Sequence, residues 1–283
     1  MSIYSRVITA ALLVLSLLGA VPAAAKTLRL AMDAEPVSMD PHAHLSTGTL
    51  QFSHLVFDPL LRWTQAMDIE PRLAHKWERI DARTLRFHLR KGVTFHSGNP
   101  LTAKDVEWTL QRLKRSESFK GIFEPVAGTK IIDDHTIDLI TKIPYPLLLN
   151  IATYIFPMDR LFYSGVDDLG KPKDAIAKFE PSFARDNASG TGPYTVTERV
   201  PGTRIIFERF ASYWDTQSPG NVSRIELSAI GDASDRVNAL LAGKMDMIMP
   251  VAPQDYDQVR LVDGVRLVTS CRGCAGFGIE TGC

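Results

Sequence analysis

The stretch from Glu70 to Leu113 constrains the fold of this 283-residue chain more than any other part of it. Apolar and polar residues alternate in Thr84–Leu89, which predicts a half-buried strand. Turn signals follow at Lys91-Gly92 and at Ser97-Gly98-Asn99-Pro100. A strand, two turns and a helix in so short a space predict a mixed α+β unit.

The helix in this stretch has a defined start. Thr102 is a suitable N-cap, and Asp105 follows three residues later, which is close to a capping box. Val106, Leu110 and Leu113 then fall on one face at helical spacing. The sequence therefore predicts an amphipathic helix that packs against the preceding strand.

These residues resemble the signature region of family 5 extracellular solute-binding proteins, the peptide- and nickel-binding receptors of ABC importers. The similar segments are PRLAHKW, LRFHLRKGVTFHSGNPLTAKDV and the aromatic Trp108 on the helix. A second similar block, GTGPYTVTERVPGTRIIFERFASYW, begins at Gly190. The resemblance implies two lobes that close on a solute by hinge motion, with no covalent chemistry and no cofactor.

The N-terminus predicts export. Arg6 precedes an apolar run from Val7 to Leu18, and Ala23-Ala24-Ala25 forms a small-residue cleavage signature. The run is shorter than the ~20 apolar residues of a membrane-spanning helix. We expect a signal peptide over residues 1–25, cleavage before Lys26 and a periplasmic protein; a retained signal anchor is the alternative.

Composition excludes some functions. The formal net charge is zero, and no basic stripe indicates nucleic-acid binding. The motifs GxSxG, GxxxxGK[ST] and HExxH do not occur, so the sequence offers no common catalytic pattern. We therefore expect no enzyme activity.

A β–α–β unit is predicted near the end of the chain. Ser223–Ile230 is strand-like, Ser234 can cap a helix, and Gly243 suits the left-handed position at its end. Asp246–Met249 begins another strand, and Thr27–Met32 is an opening strand. Such a unit normally closes onto a parallel sheet.

The expected fold class is α/β, with a first lobe like that of type II periplasmic binding proteins, an α+β insertion and a missing second lobe. Lobe I is predicted to comprise residues 26–49 and 184–269, and the inserted subdomain residues 50–183. The insertion includes a predicted hairpin over Ile131–Ile140, with its turn at Asp133-Asp134.

All three cysteines lie in the tail over residues 270–283, at Cys271, Cys274 and Cys283. The tail loses every strand or helix period, so we expect a disordered segment that is translated out of frame after a disruption near Thr269. A chance disulfide, or a redox or zinc site at Cys271-x-x-Cys274, is the alternative.

The resemblance implies that Glu35, Pro36 and Val37 line the ligand, where an extended peptide can form main-chain hydrogen bonds. A plain surface loop is the alternative reading of these residues. His42-x-His44 follows this loop, and some similar receptors bind nickel complexes. Turn and surface roles are commoner for such a pair, so no metal site is predicted.

His96 lies inside the signature region and is expected to bind a backbone or turn partner. The function predicted from the resemblance is the periplasmic solute-binding component of an ABC importer, for oligopeptides or dipeptides. Its partners are the solute and an inner-membrane ABC permease, with no nucleic acid and no stable homo-oligomer.

The sequence does not distinguish a peptide from a nickel complex, an opine or a sugar as the solute. Without the second lobe, residues 26–283 are expected to bind the solute weakly or not at all, because a one-sided groove supplies only part of the interface. A stand-alone periplasmic interaction module with no transport role is the alternative.

Overall fold

Two larger β-sheets of different construction organise the protein, and a third sheet has only two strands, at residues 61–63 and 69–71. The computed structural model describes residues 26–217 and 220–268, so the predicted signal peptide and the cysteine-bearing tail lie outside the described residues. In chain order the strands are β1 (Thr27–Met32), β2 (Leu61–Trp63), β3 (Ile69–Pro71), β4 (Ala74–Arg79), β5 (Thr84–Leu89), β6 (Val126–Asp133), β7 (Thr136–Thr141), β8 (Tyr194–Val200), β9 (Arg204–Arg209), β10 (Arg224–Ala229) and β11 (Met247–Met249). The helices are α1 (Thr47–Val56), α2 (Ala103–Arg115), α3 (Leu148–Ala152), α4 (Phe183–Asp186), α5 (Ala233–Leu241) and α6 (Tyr256–Arg260), with a 3-10 turn at Pro253–Asp255.

The larger sheet has five strands in the order β11-β1-β10-β9-β8. Strand β1, the second in this order, is parallel to both of its neighbours, pairing Thr27 with Arg224 of β10 and Leu30 with Met247 of β11. The antiparallel strands β9 and β8 complete the sheet. The predicted parallel β–α–β unit is therefore confirmed.

The smaller sheet is antiparallel, with the order β4-β5-β7-β6. The predicted strand Thr84–Leu89 is β5, and the predicted hairpin is formed by β6 and β7. Helix α2 buries Val106, Leu110 and Leu113 in the same core as the β5 side chains. A capping box between Thr102 and Asp105 starts this helix, as the sequence predicts.

The helix between β10 and β11 starts differently from the prediction. Asp232, not Ser234, is the N-cap of α5, and its carboxylate accepts a hydrogen bond from Asp235 N at 2.9 Å. A carboxylate at a helix N-terminus also interacts favourably with the helix dipole, which makes Asp232 the stronger cap. Gly243 has φ +67°, which confirms its predicted left-handed position.

Both faces of the five-stranded sheet are packed against other elements. Adjacent residues of β1 point to opposite faces, so Leu30 and Ala31 enter two different cores. Leu30 joins a core that contains Phe52 and Val56 of α1 and Phe207 of β9. Ala31 joins a second core beneath α5 and α6.

The packing of α1 bears on the predicted division of the chain. Phe52, Val56 and Phe57 lie in the core of the five-stranded sheet, as do Phe156 and Tyr163. All five were assigned by sequence to the inserted subdomain. The boundaries at residues 50 and 184 stay a prediction, and these contacts associate both ends of the insertion with the larger sheet.

Two glycines allow the segment before β8 to pack closely against the end of α1. The segment from Gly190 to Gly192 lies directly against the end of α1, where Gly192 N donates to Val56 O at 2.9 Å. A Cβ on Gly190 would lie 2.0 Å from Val56 O, and one on Gly192 would lie 2.5 Å from Val56 C. Only glycine fits at either position without moving the backbone.

His96 of the signature region forms hydrogen bonds with the same two glycines, and we call this set of contacts the glycine junction. Its backbone N donates to Gly190 O at 2.8 Å, and its ring Nε2 bonds Gly192 O at 3.0 Å. The predicted backbone partner of His96 is therefore confirmed. Across residues 26–217 and 220–268, no helix has the length and apolar character needed to cross a membrane.

Candidate functional site

The carboxyl ends of the parallel strands define the candidate site. Since β1, β10 and β11 are parallel, the segments that follow them, residues 33–41, 230–232 and 250–252, share one edge of the sheet. In open α/β sheets, ligands bind outside this edge. We call these three segments the edge loops.

A buried arginine holds two of the edge loops together. Arg236 of α5 is 3% exposed and donates to Ile230 O at 2.7 Å and to Gly231 O at 3.0 Å. It also donates to Pro250 O at 3.1 Å. Its charge is thus directed into the loop backbones and is not available to a solute.

The first edge loop contains the three predicted ligand residues. Glu35 turns its carboxylate toward the β8–β9 turn, where Oε1 accepts from Gly202 N at 2.8 Å. Glu35 Oε2 is buried without a hydrogen-bond partner among the residues with described positions. Pro36 is buried, whereas Val37 is 40% exposed. Among the three, the Val37 side chain is the one open to solvent.

One arginine of β8 contacts all three residues. Arg199 Nη2 donates to Glu35 Oε1 at 3.4 Å, to Pro36 O at 3.1 Å and to Val37 O at 3.4 Å. Its Nη1 donates to Arg185 O and to Asp186 Oδ1 of α4, both at 3.2 Å. We call Arg199 with these partners the Arg199 clamp.

The other end of this loop is tied to the inserted subdomain. Arg112 of α2 donates to Asp40 from Nη1 at 2.7 Å and from Nη2 at 2.5 Å, and both side chains are fully buried. Burial acts to raise the pKa of Asp40, but the Arg112 cation outweighs it and lowers the pKa below its ordinary value. The loop is therefore fixed by an arginine at each end.

His42 completes this buried group. Its Nε2 donates to Phe156 O at 3.2 Å, and its Nδ1 accepts from Arg112 at 3.0 Å. Burial and the neighbouring Arg112 cation lower the pKa of His42 to about 3. Both ring nitrogens are occupied, so the His42-x-His44 pair cannot act as two metal ligands in this arrangement. Within the described ranges, no group of three or more metal-ligating side chains occurs.

A second buried ion pair connects the inserted subdomain to the segment after β9. Arg72 donates to Asp58 at 2.8 Å and to Asp215 at 2.9 Å. Trp214 Nε1 donates to the same Asp58 at 2.8 Å, and the Arg72 guanidinium lies 4.7 Å from the Trp214 ring centroid. These contacts give a structural role to the aromatic residues that end the second similar block.

Shallow grooves occur elsewhere, on the four-stranded sheet. They are lined by polar side chains and share His75 and Lys91. They lie away from the edge loops and contain none of the predicted ligand residues.

Sequence reasoning missed the arginines that hold the edge loops. Arg112, Arg199 and Arg236 sit on ordinary helix and strand positions, and nothing in their local sequence distinguishes them from surface arginines. Arg112 and Arg199 bond to edge-loop residues far away in the chain, whereas the partners of Arg236, at residues 230, 231 and 250, are nearer but are brought together by the fold.

Comparison with known proteins gives one family over most of the chain. Residues 68–275 match the family described as bacterial extracellular solute-binding proteins, family 5 Middle. The match includes the signature region and the second similar block.

Curated relatives extend the similarity. The chain is 27% identical over 234 residues to the periplasmic oligopeptide-binding protein OppA of Escherichia coli, covering 75% of this chain and 41% of OppA. It is 25% identical over 291 residues to di/tripeptide-binding protein 1 of Pseudomonas aeruginosa, covering 93% and 51%. The chain therefore spans about half the length of these relatives.

Solved structures share the fold. The periplasmic binding protein DppA of Helicobacter pylori, in complex with peptide STSA, gives a TM-score of 0.74 at 22% identity, covering 84% of this chain and 49% of DppA. NikZ of Campylobacter jejuni, in complex with Ni(L-His), gives 0.70 at 22% identity, covering 84% and 45%.

Proposed function

Since the chain belongs to the bacterial extracellular solute-binding proteins of family 5, we propose that it is the solute-binding component of an ABC importer and that its solutes are short peptides. The family match supports the first part of this proposal. Curated relatives named for oligopeptides, dipeptides and di- or tripeptides support the second. The predicted fold of a type II periplasmic binding protein lobe is confirmed by the shared fold with solved receptors.

The edge loops are the proposed place of binding. Residues 33–41 lie beside the ends of parallel strands, where α/β sheets bind ligands. An arginine fixes each end of this loop, so its backbone is pre-organised and loses little conformational entropy on binding. A solute held here would gain main-chain hydrogen bonds in the manner of an added strand.

A permease would distinguish the solute-bound receptor from the free receptor only through a change of conformation. In a two-lobed receptor, a solute favours the closed form by contacts made in that form and not in the open one. The edge loops of the described residues would supply contacts on one side of such a cleft.

An amide NMR titration tests the site and the solute together. ¹⁵N-labelled residues 26–283 are titrated with tri-alanine and, separately, with a nickel–histidine complex. We expect tri-alanine to shift the amides of the edge loops. If tri-alanine leaves all three loops unchanged, the peptide proposal is wrong, and a response to nickel–histidine alone would change the solute class.

The proposed location is the periplasm, reached through cleavage of residues 1–25. N-terminal sequencing of the protein from a periplasmic extract should begin at Lys26. Replacing the small residue before the cleavage site, Ala25→Arg, should leave the signal attached, because signal cleavage requires small side chains there. Recovery of an intact Met1 in the wild-type protein would contradict cleavage.

A further inference from the structure

Three histidines line one shallow groove on the four-stranded sheet, away from the edge loops. They are His75 of β4, His88 of β5 and His135 of the β6–β7 turn. The same groove is lined by Lys91 and by the carboxylates at residues 133 and 134. Two carboxylates against one ammonium group leave a negative balance of fixed charge, which favours a cation over an anion.

A β-bulge brings two of these histidines together. The pairing of β4 with β5 shifts between Ala74 and Lys76, so His75 is the extra residue of the bulge. Ala74 is buried, whereas His75 and Lys76 are both exposed, so the alternation of a regular strand is broken here. Lys76 pairs directly with His88. The rings of His75 and His88 are consequently neighbours, with their centroids 6.3 Å apart.

A carboxylate fixes the tautomer of His88. The Nε2–H of His88 donates to Glu78 Oε1 at 2.8 Å. Because a neutral imidazole carries one ring proton, Nδ1 then holds a lone pair. This Nδ1 has no hydrogen-bond partner among residues 26–217 and 220–268. A carboxylate on one ring nitrogen, with the other nitrogen open, is the arrangement that supports histidine ligands of metal ions.

His75 can supply the second nitrogen. Its ring makes no hydrogen bond to any residue in the described part of the chain, and the residue is exposed. Burial, followed by the Arg90 cation, His88 and Lys76, lowers the pKa of His75, which keeps the ring neutral at neutral pH. Zinc–nitrogen bonds of about 2.0–2.1 Å place two ligating nitrogens about 3–4 Å apart. A rotation of the exposed His75 side chain can bring the two rings to this spacing.

We propose that His75 and His88 bind one zinc ion through a ring nitrogen each, and that Glu78 is the positioning residue that orients His88. Imidazole is a preferred ligand of zinc. Water fills the remaining coordination positions, because the described residues contain no group of three or more metal-ligating side chains. His135 therefore lines the groove without being a ligand. The site is separate from the edge loops and does not rest on the proposed function.

A zinc titration followed at the histidine rings tests the site. In ¹⁵N-labelled residues 26–283, zinc chloride should shift the ring nitrogens of His75 and His88 together, and the two responses should saturate at the same zinc concentration. Signals from individual rings are needed because the cysteines at residues 271, 274 and 283 are also zinc ligands by chemistry. Zinc uptake with both rings unchanged would mean that the cysteines alone bind zinc, and would overturn the proposal.

A pair of alanine variants tests which histidines are ligands. His75→Ala leaves His88 as the reporter and should weaken zinc binding there at least about tenfold, since loss of an outer-shell partner alone costs about 10–100-fold. Because His75 is exposed, this variant should keep the fold. His135→Ala is the matched control from the same groove and should leave zinc affinity unchanged. Unchanged affinity in His75→Ala, or an equal loss in His135→Ala, would overturn the two-histidine site.

Glu78→Ala tests the positioning role by a readout that a purely structural role would not change. In the zinc-free protein, the ring ¹⁵N shifts of His88 report which nitrogen carries the proton. Glu78→Ala should mix the two tautomers and weaken zinc binding about tenfold, whereas Glu78→Gln, which keeps an acceptor oxygen, should restore most of the tautomer preference. If the tautomer and the zinc affinity are both unchanged in Glu78→Ala, Glu78 does not position His88.

Discussion

The two sheets differ in how far apart in the chain their partners lie. In the four-stranded sheet, β6 and β7 form a hairpin around Asp133, and α2 follows β5 after two turns. In the five-stranded sheet, β1 pairs with β10, and Ser223 donates to Lys26 O across 197 residues. Loop-closure entropy makes the second arrangement the harder one to assemble.

The two sheets also differ in the contacts that hold them in place. The smaller sheet is specified by local patterns and an apolar core. The larger sheet and its first edge loop are held by contacts from distant segments, namely the glycines at residues 190 and 192 and the arginines at residues 112 and 199. If this comparison is right, a substitution that breaks one of the distant contacts should lower the unfolding free energy far more than a substitution at a local feature such as a helix cap.

The largest effect is expected at the glycine junction. In Gly190→Ala, the new Cβ would lie 2.0 Å from Val56 O and 2.6 Å from Phe57 Cδ1. Backbone and a buried ring cannot move aside cheaply, so we expect a loss of more than about 4 kcal/mol in unfolding free energy. Urea unfolding followed by circular dichroism measures it.

Gly128→Ala is the matched control for this change. Gly128 lies in β6 of the smaller sheet, and a Cβ there has no atom within 4 Å. Its effect should stay within about 0.5 kcal/mol. Equal losses in the two variants would show that the junction is not specified sterically.

The second-largest loss of unfolding free energy is expected from breaking the Arg112–Asp40 ion pair, which connects the first edge loop to α2. Arg112→Met leaves the fully buried Asp40 carboxylate without its cation, which should cost about 3–5 kcal/mol. Arg115→Met on the same helix is the control, because Arg115 is 57% exposed in its pair with Asp174 and should contribute less than about 1 kcal/mol. Similar urea midpoints for the two variants would refute the importance of the buried pair.

Acid should destabilise both the glycine contacts of His96 and the buried group that contains His42 and Arg112. Burial lowers the pKa of His96 to about 4, and burial with Arg112 lowers that of His42 to about 3. A depressed folded-state pKa gives stability that is complete above the unfolded value of about 6.5 and is lost as pH falls toward the folded value. Each histidine should contribute a slope of up to about 1.4 kcal/mol per pH unit between about pH 6 and 4.

His96→Gln tests one of these two groups. Its amide can still donate to Gly192 O, but it does not titrate, so the slope of unfolding free energy against pH should fall by about one proton. The measurement is a series of urea titrations from pH 7 to 4. A slope unchanged by His96→Gln would mean that His96 is not the group that is protonated on unfolding.

The comparison also explains how much could be read from the sequence. Thr84–Leu89, the α2 start at Thr102 and the left-handed Gly243 were predicted correctly, because periodicity, capping and turn chemistry are local. The N-cap of α5 was missed by two residues, although Asp232 is itself a local signal. Arg112 and Arg199 were not predictable, since their partners in the first edge loop lie far away in the chain.

The smallest effect should come from a purely local signal. Thr102→Ala removes the hydroxyl that donates to Asp105 at 2.7 Å, while the Thr102 N–H bond to the same carboxylate at 2.8 Å can remain. We expect a loss of about 1 kcal/mol or less in unfolding free energy, together with faster amide exchange in the first turn of α2. Because the Thr102 hydroxyl bonds only within its own helix, Val37 and the other edge-loop amides should be unaffected. A loss as large as that of Gly190→Ala, or faster exchange in the edge loops, would mean that the start of α2 also supports distant contacts and would break the distinction between the two sheets.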